Sequence, residues 1–420
     1  MKIKVGVIFG GETVEHEVSI ISAITAMFKI DQEKYDIVPI YISKDGEWYT
    51  GEMLKDIETF KDMDLLKRYA SNVVLYRDNG RFVLKKKHSL FGKVVNEIDV
   101  AFPIVHGTNV EDGVLQGYLQ TIGIPYVGPN VYASAVGQDK VYMKQIWEHE
   151  NIPMSKFIWF YDNDFKKDQD EIIKKVKSIG YPVIVKPATT GSSVGIGVAS
   201  NEKELIDAVT EASLYDEKVL VEEMIQNLRE VNISVHGNHE NQKTSEIEEV
   251  SSHNKFLTYK DKYIGDGTIS HGAKKFGVKA GLGGAKSSKG GYKAGMPASS
   301  RIPAKLDSKV RSEVEDIAVR CFKALGSCGT CRIDFLIDDK NNKVYVNEIN
   351  SIPGNLAYYL WEAKGVDFTD LLNDMITLGI KEHKKRASKT HSFDTNILAG
   401  YTSNGVKGVK GAKGVKNIKR

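Results

Sequence analysis

The chain carries 420 residues, 41% apolar and 27% charged, which suits a soluble protein of about two to four domains. No apolar run is long enough to cross a bilayer, and the run at 5–9 is too short for a signal peptide. Three cysteines cannot pair off evenly, which argues against a disulfide framework and for a reducing cytoplasm.

The net charge of +3 is unevenly spread: segments 264–301 and 401–420 each carry +6, leaving −9 on the rest. The basic segments read as solvated, flexible chain, with contact to an anionic polymer as the alternative.

Residues 2–9 form an apolar run that Gly10 and Gly11 break, and Val18, Ile21, Ile24 and Phe28 then recur at near-helical spacing. Strands are predicted next at 37–42 and 100–105. Strands alternating with helices imply a parallel sheet covered on both faces, closing as a domain near Gly128-Pro129. Segment 44–96 is longer than a crossover requires and shows no clear element. A second unit, 130–222, holds a helix over 133–150, strands at 183–186 and 219–222, and a Gly/Ser loop over 189–197. The third unit, 223–385, carries β-branched-rich runs at 330–337 and 343–349 around a polar turn at 338–342, which together predict a hairpin. Segment 264–300 is rich in Gly, Lys and Ser and is expected to be a mobile loop; 386–420 is expected to be a disordered tail.

The hairpin carries the strongest chemical signal. Alternation places Arg332, Asp334 and Leu336 on one face, and likewise groups Val344, Val346, Glu348 and Asn350. A register symmetric about the turn brings Asp334 close to Glu348. Two carboxylates and an amide oxygen on one surface repel one another unless a cation joins them. An all-oxygen site with few protein ligands suits Mg²⁺, whose remaining positions go to water and substrate phosphates. The hairpin therefore points to an enzyme that handles phosphates.

Three further clusters bear chemistry. The turn after the first strand leads to Glu15 and Glu17, which either bind an ammonium group or complement the helix dipole. Lys186 ends a strand and precedes a small-residue loop able to hold phosphate through backbone N–H groups; the alternative is a lysine reaching to solvent from a strand end. Glu222 ends the 219–222 strand, where it can accept from an adenine amino group or ribose hydroxyls, or be a polar terminus only. Gly281-Leu-Gly-Gly follows no strand and is discounted as a dinucleotide motif. Cys328 and Cys331 read as small buried residues, and Tyr358, Tyr359 and Trp361 as packing. His106 is balanced between a structural role and a ligand role.

Taken together, these clusters resemble the D-alanine–D-alanine ligase family of ATP-grasp enzymes. The resemblance runs in chain order through Gly10-Gly11 to Glu15-His16 and Ser19, His106-Gly-Thr to Glu111-Asp-Gly113, and Gln138-Asp-Lys140. It continues through Val185-Lys-Pro to Gly191-Ser-Ser-Val-Gly195 and Tyr259 to Tyr263, and closes with Arg332-Ile-Asp334 and Asn347 to Gly354. It implies an α/β and α+β, ATP-grasp fold: an N-terminal parallel-sheet substrate domain at 1–129, a small central domain at 130–222, and a C-terminal domain at 223–385. That last domain includes a lid and basic loop at 253–300, and the tail occupies 386–420.

The resemblance also implies chemistry. One D-alanine attacks the γ-phosphate of ATP to form an acyl phosphate, and the amine of a second releases phosphate and the dipeptide, for peptidoglycan synthesis. Asp334, Glu348 and Asn350 would hold two Mg²⁺, with Mn²⁺ able to substitute. Arg332 and the Gly354 N–H would stabilise the oxyanion. Glu15 would bind the first ammonium group, linked to Ser192 and Tyr263. Lys140, Lys186 and Lys262 would contact phosphates, and Glu222, Glu223, Glu230 and Asn347 complete the nucleotide site. Partners are D-alanine and ATP, without nucleic acid or membrane insertion, in a cytoplasmic enzyme whose relatives are often homodimers. Alternatives are a D-serine or D-lactate ligase of the same family and a non-catalytic ATP-binding protein with a polyanion-binding tail. The sequence departs from the family at Gln138, Val110, the length of 264–300, and residues 355–359, where the second substrate's carboxylate is commonly held.

Overall fold

The computed structural model describes residues 2–89, 92–191, 194–250, 300–393 and 395. One compact unit spans Met1–His383 and holds every described strand; a second, Lys384–Arg420, begins within the last described helix.

The first sheet has strand order β6-β5-β4-β3-β2-β1-β7, built from β1 (Ile3–Gly10), β2 (Tyr35–Ile42), β3 (Trp48–Thr50), β4 (Ser71–Asp78), β5 (Arg81–Lys86), β6 (Val94–Ile98) and β7 (Val100–Pro103). β1 runs parallel to β2 and β7, and helix α1 (His16–Lys29) follows the first strand. Val5, Val7, Ile8 and Phe9 are fully buried, which explains why β1 reads as a continuous apolar run. The sheet is parallel only there. Segment 44–96, which showed no pattern, supplies four strands that pair antiparallel beyond β2. Their half-exposed residues blur the alternation that would reveal them.

A four-stranded sheet follows, ordered β10-β9-β11-β8, from β8 (Phe157–Tyr161), β9 (Val183–Pro187), β10 (Gly197–Ala199) and β11 (Lys218–Glu223). The helix expected over 133–150 is two helices, α4 (Val131–Gln138) and α5 (Lys140–His149). Asp139 breaks them: its backbone is extended, and its carboxylate caps α5 by accepting from the N–H groups of Val141 and Tyr142.

The third sheet is ordered β14-β13-β12-β15-β16, from β12 (Leu228–Gly237), β13 (Gln242–Val250), β14 (Ser300–Arg301), β15 (Gly329–Asp338) and β16 (Lys343–Asn350). Helix α9 (Ser308–Ala324) packs its apolar face into the core beneath it. The hairpin is present, with one change. Asp334 opposes Glu348, but Phe335 opposes Val346, so Asn347 is a bulge. The extra residue reverses the strand's phase. Val344 and Val346 enter the core, whereas Glu348 and Asn350 join Asp334 and Arg332, so the four β16 residues do not share one face. Past the hairpin come helix α10 (Tyr358–Ala363) and helix α11 (Phe368–Ala387). Ile352, Leu356, Trp361, Phe368 and Leu371 pack into the core of the first sheet, tying the chain's end to its beginning.

Candidate active site

The turn after β1 leaves no room for a side chain. Gly10 has φ +90°, and a Cβ there would stand 2.1 Å from the Ile42 carbonyl oxygen. The turn delivers Glu15 to the head of α1. A Cβ on Gly191 would meet Glu15 Oε2 at 2.8 Å, and one on Gly107 would meet it at 3.1 Å. Two glycines from distant segments thus give this carboxylate its space. Glu17 points elsewhere and pairs with Lys44 at 2.6 Å, on the surface.

His106 and Glu111 act as a clamp. His106 Nδ1 donates to the Ile352 carbonyl (2.8 Å), and its Nε2 accepts from Ser22 Oγ (3.1 Å), which itself accepts from the Asn355 N–H (2.8 Å). Burial lowers the His106 pKa, against the pull of Glu15, so the ring is neutral and both nitrogens are engaged. Its role is structural. Glu111 accepts from the Gly107 N–H, the Ser351 hydroxyl and the Ile352 N–H. Burial, then the charge of Glu15, pushes its pKa up to about 7. The clamp steadies a left-handed turn: Asn355, Leu356 and Ala357, just after Gly354, have φ of 49°, 53° and 50°.

Lys140 opens α5. Its Nζ donates to the Thr190 carbonyl at 2.6 Å, and its N–H to Ala188 at 3.0 Å, fixing the head of the Gly/Ser loop. Asp216 holds the same loop by accepting from the N–H and the hydroxyl of Thr189. Lys186 ends β9, with Nζ 2.6 Å from Glu222 and 3.2 Å from Asn347 Oδ1. Burial lowers its pKa, but Glu222 and Glu348 outweigh that and raise it.

Glu222 differs from its sequence reading. Its carboxylate lies 2.6 Å from Lys144 and 2.6 Å from Lys186, and accepts from Ser155 at 2.9 Å. Desolvation pushes its pKa up, yet the two lysines hold it far below the carboxylate range. The Glu222 carboxylate is thus committed to three protein partners. Lys144 was missed: its side chain is 1% exposed, unusual for a lysine, and the only signal was its place one turn after Lys140. Glu223 follows on β11, its N–H donating to Lys156. Glu230 lies opposite Leu336 on β12, and its charge acts on Lys186.

On the hairpin, Arg332 grips Asp334 through two hydrogen bonds of 2.7 and 2.8 Å, and Asn350 Nδ2 donates to the same carboxylate at 3.2 Å. Burial holds the Lys140 pKa below its ordinary value; the charge of Glu348 opposes this and also acts on Lys186, so all three occupy one electrostatic environment. The donor set is two carboxylates and an amide; among the described residues no trio of His, Cys, Asp or Glu is arranged for a metal. Few, hard, all-oxygen donors fit Mg²⁺ completed by phosphate. Ser192, Lys262 and Tyr263 lie outside the described residues. Cys331 is buried and Cys328 half-buried.

Comparison with known proteins bears on this assembly. The family description "D-ala D-ala ligase N-terminus" matches residues 4–129, and "D-ala D-ala ligase C-terminus" matches 146–279 and 289–377. The D-alanine–D-alanine ligase of Thermosipho melanesiensis is 39% identical over 94% of this chain and 98% of its own length. That of Clostridium acetobutylicum is 37% identical over 90% and 98%. Among solved structures, the D-alanine-D-alanine ligase of Coxiella burnetii superposes with TM-score 0.73 at 29% identity, covering 92% of this chain and 96% of that one. The D-Ala:D-Ser ligase VanG of Enterococcus faecalis gives 0.71 at 27%, covering 90% and 100%.

Proposed function

We infer the reaction from one premise: this chain belongs to the D-alanine–D-alanine ligase family. It is a carbon–nitrogen ligase that uses ATP to join two D-alanines into D-alanyl-D-alanine for peptidoglycan.

The assignment of roles is our proposal. Glu15, given space by Gly107 and Gly191, holds the ammonium of the first D-alanine. That placement turns its carboxylate toward the phosphate loop, whose backbone N–H groups and Lys140 and Lys186 receive the nucleotide. Asp334, Glu348 and Asn350 are the residues to hold Mg²⁺, two ions in our reading, which when bound neutralises the transferring phosphoryl group. Arg332, fixed by Asp334, and the Gly354 N–H face the carbonyl oxygen as it gains charge. Ser192, Lys262 and Tyr263, which lie outside the described residues, we assign by the family resemblance to the first substrate and the γ-phosphate. We assign the three lobes to 1–129, 130–222 and 223–385, one for each sheet. We propose a cytoplasmic location, which dependence on ATP supports; no described helix is long and apolar enough to cross a membrane.

One observation carries this reading: Glu15 reaches Gly191 while Lys140 holds the neighbouring Thr190 carbonyl, so amino-acid and phosphate groups meet at one loop. Phosphate release with D-alanine as sole amino acid tests it. The expected result is turnover on D-alanine alone; release only when D-serine or D-lactate is added would overturn it.

A further inference from the structure

One row crosses the third sheet beyond the assigned residues. Glu248 on β13 opposes Asn232 on β12, Asn232 opposes Asp334, and Asp334 opposes Glu348. Directly paired residues share a face, so all four side chains stand on the active-site side. The inner half of this row has a hydrogen-bonding deficit. Glu248 is 1% exposed and Asn232 6%, yet among the described residues Glu248 Oε1 and Asn232 Oδ1 have no hydrogen-bond partner. Buried acceptors are normally satisfied, so neighbouring orphans call for a donor from outside.

The surrounding described groups do not supply it. Tyr359 already donates its single O–H to Glu248 Oε2, at 3.0 Å, and is itself buried. Arg332 is committed to Asp334. Its guanidinium stands within the electrostatic reach of both Glu248 and Tyr359. A divalent metal shared with Asp334 does not fit: two strand spacings, roughly 10 Å, separate Glu248 from Asp334 along the row.

We propose that Glu248 Oε1 and Asn232 Oδ1 hold the α-ammonium of the second amino acid, with Tyr359 fixing the Glu248 carboxylate. This rests on the ligase reading above. The ammonium passes one proton to Glu248, and the freed amine nitrogen must approach to about 3 Å from the carbonyl carbon whose oxygen Arg332 serves; an acceptor pair beside Arg332 meets that demand. The pair also sets specificity. An α-ammonium brings three N–H donors and a positive charge. The hydroxyl of D-lactate brings one donor and no charge, leaving one acceptor buried and unpaired. Amino acids, D-serine included, satisfy the pair and hydroxy acids do not.

The test is Glu248→Gln, which keeps the shape and the Tyr359 contact. First- and second-site KM for D-alanine are separated in steady state, and acyl phosphate formation is followed by positional isotope exchange in labelled ATP. The second-site KM should rise about ten- to a hundredfold, the effect of losing a hydrogen bond to a charged partner. The first-site KM and the exchange should not change. An unchanged second-site KM, or equal rises at both sites, overturns the proposal. So does a wild-type requirement for a monovalent cation that Glu248→Gln abolishes without moving the second-site KM. Tyr359→Phe, which frees the carboxylate without removing it, carries the same test if the glutamine variant does not fold: a rise confined to the second site supports the proposal, and parallel rises reject it. Failure of the ligase reading looks different, because wild-type protein would then release no phosphate with D-alanine.

Discussion

Replacing Lys144 by Met removes one of two cations from Glu222 while keeping the volume of the side chain. Both groups are sealed from solvent, at 1% and 3% side-chain exposure, so water cannot screen the loss. Breaking a buried ion pair by deleting one partner costs about 3–5 kcal/mol, because the other charge stays buried. Glu222 retains Lys186 at 2.6 Å and Ser155 at 2.9 Å, which puts this case near the low end, about 3 kcal/mol. That is a large share of a typical total of about 5–15 kcal/mol. Urea denaturation followed by tryptophan fluorescence is the assay, since Trp147 lies on α5 and Trp159 on β8. With a slope of roughly 3 kcal/mol per molar urea, the midpoint should fall by about 1 M. KM for ATP should rise as well, because Glu222, no longer fixed by Lys144, holds Lys186 less firmly. The double variant Lys144→Met with Glu222→Gln should cost less than the sum of the two single variants, since the Lys144–Glu222 pair can be lost only once. A loss below about 1 kcal/mol, or fully additive losses in the double variant, would refute the coupling.

Three other outcomes are expected. Glu111 titrates at about 7 in the folded state against an ordinary value near 4.5, so its contribution is fully present below 4.5 and is lost as pH rises through about 7. Glu111→Gln should flatten the stability–pH profile over that window, a change of about 3 kcal/mol, and an unaltered slope would contradict it. Glu348→Gln should lower turnover on the order of 10²-fold with little change in thermal stability, and near-normal rates in saturating Mg²⁺ and ATP would remove Glu348 from the site. Gly329 has φ +85° and a Cβ there would stand 2.8 Å from the Gly128 Cα, so Gly329→Ala should cost at least about 1–2 kcal/mol in calorimetry.

Much of this site was legible in the sequence where chemistry and pattern coincide. The hairpin's β-branched runs and polar turn located β15 and β16, and the opposition of Asp334 to Glu348 holds. The bulge was not legible, because Asn347 sits in an otherwise regular alternation. The break at Asp139 had a signal, an N-capping residue before Lys140, which the continuous apolar pattern concealed. Lys144 and Glu248 had almost none. A lysine on a helix and a glutamate among glutamates usually face water, and only tertiary packing shows these two to be buried. Glu222 shows a further limit: its strand end was found, but the partners that occupy its carboxylate come from α5 and β9, distant in sequence.

The central claim is that ATP activates the carboxylate of one D-alanine as an acyl phosphate before the second amine attacks. Oxygen-18 in the carboxylate of D-alanine tests it most directly. The account predicts one labelled oxygen in the released phosphate for each dipeptide formed. Phosphate free of the label, with dipeptide still produced, would contradict it.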